Sequence, residues 1–134
     1  MKPKIRYLSV KDISGYPYSR KISESGNSSG EYFKNRLITA LESDATFVCM
    51  NIDNIIIPGA SWFDEIFGTM NNVQKELVQQ KLYVKTQYEF IRGLIELRLG
   101  FKLVKHYEIQ HDLEITHRKK SEGWFKRLLR NTWK

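Results

Sequence analysis

The stretch Thr46–Gly68, TFVCMNIDNIIIPGASWFDEIFG, constrains the fold most. Phe47–Ile52 is an apolar run of strand length, too short for a membrane span and bounded by the turn-forming pair Asp53-Asn54. Such a run reads as a strand buried on both faces, the central strand of its sheet. The chain resumes through Ile55–Ile57, turns at Pro58-Gly59 and enters an amphipathic segment led by Ser61. Ser61 followed by Asp64 has the spacing of a capping box, which predicts a helix with Ser61 as its N-cap. The apolar stripe of that helix is Trp62, Phe63, Ile66, Phe67 and Met70. Gly68 and Asn71-Asn72 predict a break before the next helical stretch, Val73–Gln80.

The same reasoning extends along the chain. Residues 3–10 alternate, with Ile5, Tyr7 and Val10 inward, and predict a first strand. Residues 11–30 are rich in Ser, Gly, Tyr and Pro and predict a loop with a short strand near Arg20-Lys21-Ile22. Ser28 with Glu31 forms a second capping box, opening a helix that places Phe33, Leu37, Ile38 and Leu41 on one face and ends near Ser43-Asp44. KLYVKT (81–86) alternates and predicts a third strand. Thr86 with Glu89 forms a third box, for a helix turning Tyr88, Ile91, Leu94 and Ile95 inward and stopping at Gly100. Phe101, Leu103, Tyr107, Ile109, Leu113 and Ile115 share one parity, so 101–117 reads as a strand or hairpin with one buried face. The expected class is α/β, helices packed on a mixed sheet.

A chain of 134 residues accommodates one domain, here 1–117, followed by a basic segment, 118–134. That segment holds seven Lys/Arg against Glu122 and carries +6 of the net +7, so the body is nearly neutral. As a helix, it gathers Trp124, Phe125, Leu128, Leu129 and Trp133 on one side and Lys126, Arg127, Arg130 and Lys134 on the other. Such a helix packs on its own domain, docks to a partner or an oligomer mate, lies on an anionic membrane surface or contacts nucleic-acid phosphate. The N-terminus MKPKIRYLSV lacks an apolar signal core, and the single Cys49 lies in the apolar run, where a buried structural thiol is expected. Both fit a cytoplasmic protein.

No motif supplies catalysis. Adjacent helical positions diverge by about 100°, so Asp64 and Glu65 do not converge on one substrate atom. His106, His111 and His117 form no HxH or HExxH, and GNSSGE lacks the P-loop lysine, so neither a metal nor a cofactor is expected. The reading is a non-catalytic interaction module with Asp53, Asn54, Gly59, Ser61, Trp62, Asp64 and Glu65 at its docking surface. The C-terminal residues Trp124, Phe125, Lys126, Arg127, Leu128, Arg130 and Trp133 offer a second contact. The alternative is a small nucleic-acid-binding accessory protein acting through that basic helix.

The pair SGEYFKNRLITAL (29–41) and SWFDEIFG (61–68), separated by an apolar strand ending in Asp, resembles the STAS-like domains of bacteria over roughly residues 1–100. That family is related in fold to the anti-sigma factor antagonists. The resemblance implies a mixed sheet with packed helices, no catalytic site, and a protein partner, a kinase of the histidine-kinase-type ATPase fold. It also implies a bacterial signalling or phage-defence setting. Ser61 lines up with the serine that such kinases phosphorylate in the antagonists, so it stands as a plain N-cap on one reading and a phosphoserine on the other.

Overall fold

A computed structural model describes residues 4–103. The larger part of the 101–117 strand or hairpin and the whole 118–134 helix, with every C-terminal contact residue named above, lie outside the described residues; 101–103 is not strand. The order is β1 (Ile5–Ser9), α1 (Val10–Ile13), α2 (Ile22–Ser25), α3 (Gly30–Glu42), β2 (Phe47–Asn51), α4 (Ala60–Phe67), α5 (Asn72–Lys81), β3 (Leu82–Lys85) and α6 (Glu89–Leu99), with a 3-10 turn at Gly26–Ser28. None of these helices is long and apolar enough to cross a membrane.

The chain is α/β, and β2 is the central strand as its composition predicts, but the three described strands all run parallel rather than forming a mixed sheet, in the order β1-β2-β3. Parallel neighbours need crossover connections, and here these contain α1–α3 and then α4–α5. Backbone bonds from the Thr46 and Phe47 N–H groups to the Lys4 carbonyl start the β1–β2 ladder. In register, Leu8, Met50 and Val84 form one row and Val48 pairs with Leu82; these residues join the helices in a single core. Tyr7, Cys49 and Tyr83 form the alternate row. Cys49 is buried, and that burial pushes its thiol up to about 12, which keeps it protonated. Tyr7 was expected inward; it is 64% exposed, because on edge strand β1 it is Leu8 that shares the core row.

The helix ends show where residue type alone misleads. Arg20-Lys21-Ile22 is not a strand: α2 starts at Ile22, and Glu24 accepts from the Lys21 N–H. Ser29, not Ser28, caps α3: its hydroxyl accepts from the Tyr32 N–H, whereas Ser28 accepts from Tyr16 and Glu31 from Ile22. Thr86 accepts from the Tyr88 N–H instead of capping α6, Glu89 pairs with Arg92, and Tyr88 is turned outward. The α4–α5 break falls where Gly68 and Asn71 place it, with a reciprocal Asn71–Gln74 capping box. Gly100, at φ 84°, ends α6 in the left-handed conformation that glycine adopts without a Cβ penalty.

α3 packs on α4, α4 on α6, and α5 on β2 and β3. The α3–α4 approach is close: a Cβ at Gly30 would meet the Trp62 carbonyl oxygen at 2.8 Å and the Glu65 Cβ at 3.0 Å. Gly30→Ala is therefore expected to destabilise the chain by about 1–3 kcal/mol, the usual range for overpacking. Gly93→Ala, in α6 where nothing lies within 4 Å of the added methyl, is expected to stabilise it by about 0.5–1 kcal/mol. Urea unfolding of the two variants reads both, and equal effects would contradict the assigned packing.

The exposed Lys4 ammonium bonds to Asp44 at 2.7 Å, and this hydrogen bond, with the attraction of the charge, lowers the Asp44 pKa. A carboxylate shifted down in the folded state contributes stability above its unfolded pKa and loses it as pH falls through the folded value. NMR titration is expected to show the Asp44 midpoint rising toward the ordinary carboxylate value in Lys4→Ala; an unchanged midpoint would exclude the pair in solution.

Candidate functional site

In parallel α/β sheets the carboxyl ends of the strands share one edge, and the loops that leave them are the usual place for recognition. Here three connections leave that edge: residues 10–21 after β1, 52–59 after β2 and 86–88 after β3. Main-chain groups join them. Gly59 N–H donates to the Pro17 carbonyl at 2.9 Å, and Ile52 N–H to the Lys85 carbonyl at 2.9 Å. Asp53 receives the Gln87 N–H at 2.9 Å while its own N–H donates to the Asn51 side chain. Asn54 takes a left-handed φ of 59°, which asparagine tolerates better than most residues, and turns the chain outward.

Because backbone groups hold these loops, their apolar side chains are left to solvent. Tyr16 is 73% exposed, and Ile56 and Ile57 are 47% and 45% exposed. Tyr18, Tyr88 and Phe90 are also exposed, the last two with ring centroids 5.7 Å apart. Single exposed apolar residues are ordinary; five drawn from three connections at one edge of the sheet, with Phe90 in the first turn of α6, define a candidate interaction surface.

The residues selected from sequence divide around this edge. Asn54 and Ser61 are exposed, Asp53 and Gly59 are half-buried, and all four belong to it. Trp62 does not: it is wholly buried between Phe33, at 5.1 Å, and Phe63, at 5.4 Å. Glu65 does not either, being 8% exposed against α3 with Lys21 at 3.4 Å. Asp64 faces another way again. Arg98 Nε donates to its Oδ1 at 2.5 Å and Arg20 to its Oδ2 at 3.2 Å, while the Arg98 guanidinium lies 5.9 Å from the Phe63 ring centroid. Asp64 thus joins α4 to α6 and to the loop before α2.

Ser61 is not the N-cap. The helix starts at Ala60 and its cap is Gly59, whose carbonyl accepts from the Trp62 and Phe63 N–H groups. Tertiary packing decides this: a Cβ at Gly59 would stand 2.9 Å from the Tyr18 ring, so the close approach of the first loop fixes the entry into α4 at glycine. Ser61 becomes the second helical residue, and Asp64 lies past the first turn, so no Ser61–Asp64 box forms.

Tyr16, Tyr18, Ile56, Ile57, Tyr88 and Phe90 were not selected from sequence. For the first four the signal was apolar residues placed in segments rich in turn formers, YPYS and IIIPG, where no regular element needs them; Tyr88 was read as an inward residue of the helix that Phe90 also belongs to. Among the described residues no three His, Cys, Asp or Glu side chains are grouped to hold a metal. No family model, curated protein or solved structure matches this chain.

The capping assignment has a direct consequence. Ser29→Ala is expected to cost about 1 kcal/mol, as loss of a true N-cap does. Ser61→Ala is expected to change stability by less than about 0.5 kcal/mol, as at an ordinary surface position. Chemical denaturation of both variants checks this, and a Ser61→Ala loss equal to that of Ser29→Ala would restore Ser61 as the cap.

Proposed function

We propose that this chain is a non-catalytic, STAS-like interaction module that binds a protein partner through the carboxyl edge of its sheet. The observation that carries the proposal is the exposed group Tyr16, Tyr18, Ile56, Ile57, Tyr88 and Phe90 on connections and a helix start that main-chain hydrogen bonds and the Asp53 carboxylate tie together. Aromatic and aliphatic side chains on a preorganised support are the usual anchors of a protein interface, since little ordering entropy remains to be lost on binding.

Ser61 supplies the regulatory part of the proposal, with a kinase of the histidine-kinase-type ATPase fold as the partner. Its side chain is exposed and does not cap the helix, so modification would not remove an N-cap bond. A phosphate there adds nearly two negative charges at the positive end of the α4 dipole, which the helix accommodates. The acids one turn on are already paired, Asp64 with Arg98 and Arg20 and Glu65 with Lys21. The added charge would therefore alter the surface presented to the partner while the fold stays intact.

The test is affinity capture of the tagged full-length chain from its own cells, quantified by mass spectrometry. Ile57→Asp and Ser61→Asp are expected to reduce recovery of the partner by at least about tenfold, the effect of losing an interface anchor. Val73→Asp, at an exposed position on α5, is expected to leave it unchanged, with circular dichroism the same for all three. Equal recovery with Ile57→Asp and the unmodified chain would overturn the proposed surface; a normal result for Ser61→Asp alone would remove the switch.

A further inference from the structure

We draw no further inference here: the strongest candidate, the open polar cleft of about 450 Å³ between α3, α4 and α5 lined by Glu31, Lys34, Asn35, Thr39, Glu65 and Gln74, already has its carboxylates, its lysine and its Gln74 amide bonded within the chain, to Ile22, Lys21, Thr69 and Asn71, and so selects no ligand.

Discussion

The close contact of α3 with α4 is the constraint on which the remaining structure depends. Gly30 lets the helices approach until the Trp62 carbonyl and Glu65 lie against its Cα, and Trp62 then fills the space between Phe33 and Phe63 without solvent exposure. A buried tryptophan contributes more apolar area than any other side chain, so its placement fixes the axis and rotation of α4. From that one helix two consequences run outward. Its N-terminus enters at Gly59, where the 52–59 connection meets Pro17-Tyr18. Its Asp64 reaches Arg98 and so fixes the end of α6.

The edge inherits its form from this arrangement. Its connections are held by main-chain bonds together with polar side chains such as Asp53, which leaves Tyr16, Ile56 and Ile57 exposed at the rim. Placed in the core they would add stability; held at the rim they expose area that binding can remove from water. Asp53 is polar yet structural here, since its carboxylate joins two connections through the Gln87 N–H.

The legible parts of the fold were those where a local requirement and the tertiary structure agree. Val48, Cys49 and Met50 sit in an apolar run of strand length closed by Asp53-Asn54, Gly100 suited a left-handed cap, and Gly68 with Asn71 marked a break. The capping box at Thr86 was lost to a local bond from the Tyr88 N–H, and those at Ser28 and Ser61 failed for another reason. Residue type and spacing say that a side chain can cap, whereas the extended backbone that defines a cap is set by neighbours distant in sequence, Tyr18 for Gly59 and Tyr16 for Ser28. Trp62 and Glu65 were grouped with Ser61 by closeness in sequence, but Trp62 points about 100° away from it into the core, and Glu65, one turn on, is covered by the close approach of α3 at Gly30. The parallel sense of the three described strands was legible in the order strand, helix, strand, since crossover helices join parallel neighbours, and the expectation of a mixed sheet departed from that signal.

Amide hydrogen exchange of the unmodified chain tests most directly whether α4 is a fixed platform for the edge. If the Trp62 contact locks it, the Asp64–Phe67 amides exchange only through global unfolding, with the same free energy that urea denaturation gives. Exchange of these amides through a local opening some 2 kcal/mol or more below the global value would contradict the account, because the edge would then rest on a helix that moves.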